Sequence, residues 1–172
     1  MTLSLNILLL LFVLIIAVMT DIRGNRIPNW LTLPAMITGI ILNMVSAGVS
    51  GFLFGLEGLL LGMALFIGFY IMGGMGAGDV KLMGAVGAML GPRTVFISAL
   101  YTALAGGIYA LTVIALNPRA RAAKNALVEM VRGLIYLQTP KYNRSQTCEN
   151  SPKLCYAVAI AIGTIAGVVL KT

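Results

Sequence analysis

A chain of 172 residues that is 59% hydrophobic and only 10% charged has no room for a sizeable soluble domain beside its apolar mass. With a mean hydropathy of +0.98 it reads as a membrane bundle. The net charge of +7 then reports topology rather than nucleic-acid binding. The chain has no histidine, which excludes a His-based relay, triad or metal site, and its only acids are Asp21, Glu57, Asp79, Glu129 and Glu149.

The fold class is all-α and polytopic. Six apolar segments, roughly 3–20, 30–47, 52–72, 80–91, 94–116 and 154–170, are each read as a membrane crossing. The first has no Lys or Arg before Arg23 and ends in Val18-Met19-Thr20-Asp21. It therefore lacks the basic start and small-residue cleavage site of a secretory signal and reads as a transmembrane helix. Asp21-Ile22-Arg23-Gly24-Asn25-Arg26-Ile27-Pro28-Asn29 follows. Taken alone, Asp21 is an interfacial carboxylate paired with Arg23 or Arg26. Pro28 suits the start of the next helix, and Asn25 and Asn29 suit polar caps or water-facing groups. Glu57 falls near the outer end of the third segment.

Gly73-Gly74-Met75-Gly76-Ala77-Gly78-Asp79 precedes the fourth segment. A run so rich in glycine holds a regular helix poorly. Irregular backbone at membrane depth is tolerated where it lines water or is buried in protein. A carboxylate there is costly and marks a functional site by default, although Asp79 also suits a simple helix cap. The glycines Gly76 and Gly78 read as room for the backbone of an extended substrate. The fourth segment is short, since twelve helical residues rise about 18 Å. Its Gly84, Gly87, Ala88 and Gly91 suit close helix packing.

Residues 117–153 form a basic loop. Within it, Lys124–Leu137 carries an apolar stripe of Leu127, Val128, Val131, Leu134 and Ile135, read as an interfacial helix that includes Glu129. Glu149 falls in a polar linker. Cys148 and Cys155, with no histidine or further cysteine, make a poor zinc site and are read as reduced and structural.

Charge fixes the orientation. If the fourth segment crosses, Arg23, Arg26, Lys81, Arg119, Arg121, Lys124, Arg132, Lys141, Arg144 and Lys153 share one side, against Arg93 and Lys171 on the other. If it turns back, the bias disappears. The basic side is cytoplasmic, which leaves the N-terminus outside. Asp21 and Asp79 are then separated by two crossings and lie on the same, cytoplasmic side. Two carboxylates sharing one site hold one proton between them. The ionised member can take a proton from water attacking a peptide carbonyl, while the protonated one polarises that carbonyl. A different reading is a small transporter or channel with Asp79 in a broken helix. It calls for a matching break in a second half of the chain, and no such repeat is present.

Asp21 with Arg23, Arg26 and Ile27-Pro28-Asn29, and Gly76-Ala77-Gly78-Asp79-Val80-Lys81-Leu82, resemble the two aspartate blocks of the prepilin peptidases, the membrane proteases with a G-x-G-D motif. The likeness extends over about residues 10–116, and Tyr156-Ala157-Val158-Ala159-Ile160-Ala161 is similar to the last helix of short family members. The resemblance implies a single peptidase domain over residues 1–172. Its catalytic pair is Asp21 and Asp79, supported by Gly76, Gly78, Lys81, Asn25, Pro28 and Asn29. No metal or organic cofactor is implied. The implied reaction removes the basic leader of a prepilin after a Gly, at the cytoplasmic face of a bacterial inner membrane, with pilus or secretion assembly components as partners. Larger members carry a cysteine-bearing cytoplasmic segment ahead of the first aspartate and also methylate the new N-terminus. Only 20 residues precede Asp21, so methyl transfer is not expected. The short form resembles the peptidases of Flp-type, tight-adherence pili, and a Flp-like prepilin or pseudopilin is the expected substrate.

Overall fold

The computed structural model describes residues 2–24, 26–71, 75–116 and 156–170. Asn25, Gly73, Gly74, the basic loop with Lys124–Leu137 and Glu129, Glu149 and both cysteines lie outside the described residues. The chain divides into two compact units, residues 1–106 with 155–172 and residues 107–154. All five elements below belong to the first, apart from the last turns of α4.

Among the described residues every regular element is a helix, and there is no strand. α1 spans Thr2–Gly24, four residues past its expected end, so Asp21 sits within its last turn rather than beyond the helix. Asn6, Leu10, Val13, Leu14, Ala17 and Asp21 are buried, while Leu8, Phe12, Ile15, Met19 and Ile22 face outward. The inward positions recur at helical spacing and include Asn6 and Asp21; the outward face is apolar from Leu5 to Ile22.

α2 runs from Asn29 to Ile71, interrupted by non-helical backbone at Ala47 (φ −137°, ψ 16°) and Gly48 (φ 61°, ψ −137°). The chain reverses there. A side chain on Gly51 would strike the carbonyl of Asn43, and one on Gly55 would lie 3.3 Å from the Cα of Ile40. Fifteen residues along a straight helix would separate Gly55 from Ile40 by about 22 Å. Only a hairpin brings them together, and the positive φ at Gly48 is the conformation glycine adopts without steric cost. The gap expected at 48–51 is thus a two-residue turn between antiparallel arms.

α3 spans Ala77–Leu90 and is buried on all sides from Leu82 to Leu90. It packs against α1, α2 and α5 (Tyr156–Val169). A helix apolar around its whole circumference belongs inside a bundle. That explains its length: protein rather than lipid surrounds it, so it need not match a bilayer. Its small residues act as the sequence suggests. Gly87 and Gly58 meet backbone to backbone, Gly62 lies against the carbonyl of Met83, and Gly91, at φ 81°, lies beneath the ring of Phe54. α4 (Pro92–Leu116) follows directly, and Gly163 and Gly167 of α5 seat Thr102 and Ser98 of α4.

Among the described residues, two helices are long and apolar enough to cross a membrane, Leu5–Gly24 and the bipartite Asn29–Ile71. The distribution of polarity fits lipid as the solvent. Asn6, Thr32, Asn43, Thr94, Ser98, Thr102 and Thr164 are buried along with both aspartates, while Leu8, Val45, Val49, Ile71 and Ile108 are at least two-thirds exposed.

The end of the bundle remote from Asp79 is closed by amides. Asn43 Nδ2 donates to the carbonyl of Ala88 at 2.8 Å, and Asn6 Nδ2 donates to Asn43 Oδ1 and to the carbonyl of Met89, both at 3.4 Å. Ala88 and Met89 lie in the last turn of α3, whose carbonyls have no partner within the helix. Asn43→Ala strands the Ala88 carbonyl and leaves Asn6 with the Met89 carbonyl as its partner. It is expected to cost about 1–2 kcal/mol, read as a lower unfolding midpoint in detergent at unchanged helix content.

Candidate active site

Four pieces of chain meet at the other end of the bundle: the last turn of α1, residues 26–29, the first turn of α3 and the first turn of α5. Asp21 reaches across from α1, and its Oδ2 accepts a hydrogen bond from the Ala157 N–H at 3.1 Å. Ala157 is the second residue of α5, where backbone amides have no helical partner and the helix dipole favours a negative charge. The expected pairing with arginine is replaced by this amide. Arg23 and Arg26 are exposed, and no ion pair joins them to Asp21 among the described residues.

Asp79 caps its own helix. Its Oδ2 accepts from the Gly76 N–H at 3.2 Å, while its N–H donates to the Gly76 carbonyl at 3.1 Å. A Cβ on Gly76 would sit 3.1 Å from Asp79 Oδ2. Glycine at 76 therefore lets the carboxylate fold back over the backbone; its own φ of −78° is ordinary.

Asp21 is 6% exposed and Asp79 is 8% exposed. The two carboxylates are within electrostatic reach of each other. Each is held through Oδ2 by one backbone amide, and the Oδ1 of each takes no hydrogen bond among the described residues. Chemically this is a pair of fixed carboxylates with one oxygen of each left for water or substrate.

The two sequence blocks are bound to each other. A Cβ on Gly78 would lie 3.0 Å from Ile27 Cβ, 3.2 Å from its carbonyl oxygen and 3.4 Å from its nitrogen. Lys81 Nζ donates to Asn29 Oδ1 at 2.9 Å. The space over Gly78 is thus filled by Ile27, whereas Gly76 is exposed and meets chiefly the Asp79 carboxylate. Gly78 lets the Asp79 block dock on the Asp21 block. Asn29 is the acceptor for Lys81 rather than a helix cap. The carbonyl of Pro28 starts α2, accepting from Leu31 at 3.1 Å and Thr32 at 3.4 Å.

Glu57 is exposed and precedes Gly58, which packs on Gly87 and Gly91 near the far end of α3, away from the aspartates. Among the described residues, no three carboxylate, thiol or imidazole groups gather at one point.

Sequence reasoning did not include the start of α5 in the site. Tyr156, its first residue, is half-buried and within electrostatic reach of Asp79, and Ala157 supplies the amide that holds Asp21. Topology carried the available signal: six crossings place the start of the sixth segment on the same side as Asp21 and Asp79.

The type IV leader peptidase family model matches residues 8–111, which include both aspartates. The chain belongs to this family. Among curated relatives of this leader peptidase-family chain is the prepilin leader peptidase/N-methyltransferase of Aeromonas salmonicida. It is 32% identical over 116 residues, covering 64% of this chain and 40% of the relative. The protein of the same name from Aeromonas hydrophila matches with the same identity and coverage. The match thus spans well under half the length of those relatives. No solved structure matches the chain. The family match takes in α2, α3 and most of α1 and α4, and stops short of α5.

Proposed function

We propose that this chain is an aspartic endopeptidase that removes the leader peptide of type IV prepilins or pseudopilins, with Asp21 and Asp79 as its catalytic pair. The observation that carries the reading is a pair of buried carboxylates at one end of the bundle, each anchored by a backbone amide, in a chain of the leader peptidase family. The pair shares one proton. Its ionised member takes a proton from a water molecule as the water oxygen bonds to the scissile carbonyl carbon. Its protonated member gives its proton to the carbonyl oxygen. The tetrahedral intermediate then collapses: the C–N bond breaks, one of its hydroxyl protons returns to the ionised carboxylate, and the proton of the other carboxyl passes to the leaving amine. No metal or organic cofactor takes part in this scheme.

The same reading gives six crossings, with each arm of α2 making one. The aspartate end faces the cytoplasm and the N-terminus faces outward, in a bacterial inner membrane, the arrangement the Lys and Arg distribution favours. Partners are the bilayer, the prepilin and pilus or secretion assembly components. The choice of a small Flp-like prepilin rests on the resemblance to short family members. The relatives' names pair two activities, and the aspartate pair accounts for the hydrolytic one.

The test is purified protein in lipid nanodiscs incubated with a Flp-like prepilin, followed by mass spectrometry of the product. A new N-terminus directly after the leader's Gly is expected. An intact prepilin, together with proton or ion flux through the protein, would favour the transporter instead.

A further inference from the structure

Peptide hydrolysis by two carboxylates leaves one requirement open. While the carboxyl proton is only partly transferred, the carbonyl oxygen carries partial negative charge in the transition state, and a fixed donor aimed at it is worth more than the same donor in bulk water. Around Asp21 and Asp79 such donors are few among the described side chains. The amides of Gly76 and Ala157 are occupied by the aspartates themselves. Lys81 is drawn toward Asn29, and Arg23 and Arg26 are exposed.

Tyr156 remains. It opens α5, immediately before the amide that binds Asp21, and α5 packs against both α1 and α3. Its ring edge rests on Gly106 of α4, with ring carbons 3.7 and 3.9 Å from the position a Cβ there would take. That contact fixes the ring at one edge. The side chain is half-buried, and its hydroxyl has no hydrogen-bond partner among the described residues. A phenol can donate while remaining neutral, and so adds no charge to a buried pair.

We propose that Tyr156 is a catalytic residue of this site, whose hydroxyl donates a hydrogen bond to the scissile carbonyl oxygen. The phenol keeps its proton throughout, and the aspartates move the protons that the reaction consumes and releases. The site is then built from α1, α3 and α5 together, beyond the region matched by the family model.

The inference rests on the peptidase reading, and one set of measurements separates the two. Steady-state cleavage of a prepilin is followed for wild type, Tyr156→Phe and Tyr156→Leu, with Asp79→Asn as the inactive reference. Loss of the hydroxyl is expected to lower kcat about 10- to 100-fold in Tyr156→Phe, with KM within about twofold because the donor acts chiefly in the transition state. Tyr156→Leu should lose at least as much. Wild-type kcat in Tyr156→Phe, whether or not Tyr156→Leu is impaired, would overturn the hydroxyl's role and leave the peptidase reading standing. Absence of cleavage by wild type would overturn both.

Discussion

Replacing Asp79 by Asn should abolish leader cleavage while leaving the protein inserted and folded. The amide oxygen of Asn can still accept the Gly76 N–H that Asp79 Oδ2 now accepts at 3.2 Å, and Asn is as good a helix cap as Asp. The first turn of α3 therefore survives. What is lost is the proton chemistry: an amide can neither take a proton from water nor return one to the leaving nitrogen. Positioned acid–base groups contribute about 100- to 10,000-fold each, and the rate should fall by at least that range. Removing a carboxylate from the bundle interior should if anything stabilise the fold, since a buried charge is costly. The check is prepilin processing on a denaturing gel, alongside the thermal midpoint of the purified variant. A variant that is stable and silent fits a catalytic carboxylate; one that is stable and active shows that Asp79 is only a cap.

The second large effect is expected at Gly78, which carries no functional group. The site of its missing Cβ is already 3.0 Å from Ile27 Cβ and 3.2 Å from the Ile27 carbonyl oxygen. Alanine asks the loop to yield by a few tenths of an ångström. Valine adds two further carbons and must push residues 26–29 away. Overpacking of this kind costs about 1–3 kcal/mol, within what a membrane bundle survives. Catalysis is less tolerant, because displacement of about 1 Å from a reactive geometry costs on the order of 100-fold. The same displacement pulls Asn29 from Lys81. A graded loss is expected, modest for Gly78→Ala and about 100-fold or more in kcat for Gly78→Val. Equal and full activity in both would mean that the docking of the two blocks does not set the geometry of the aspartates.

Much of the bundle was legible because apolar runs and small residues have direct physical consequences. The break at 48–51 between the second and third apolar segments marked the reversal between the arms of α2, and Gly84, Gly87 and Gly91 marked the face of close packing. Asp21 and Asp79 stood out because so few charges interrupt so apolar a chain. Other features left no sequence signal. The ligand of Asp21 is the backbone amide of Ala157, which any residue except proline would supply at that position, so the 136 residues separating the pair hid the contact. Arg23 and Arg26, close in sequence, were the obvious partners and are not used. Glycine reveals that something approaches closely, and here that something is the chain's own Ile27 and the Asp79 carboxylate. Nor does periodicity reveal that a short apolar segment is sheathed by other helices, so the reason for the shortness of α3 comes from its burial alone.

The central claim is that Asp21 and Asp79 act as one proton-sharing unit. It is tested most directly by initial rates of prepilin cleavage for wild type, Asp21→Asn, Asp79→Asn and the double variant under identical conditions. Groups that act as a unit are strongly non-additive. Each single variant should lose at least about 100-fold, and the double variant should be no slower than the worse single one. Near-wild-type cleavage by either single variant, or losses that multiply in the double, would contradict it.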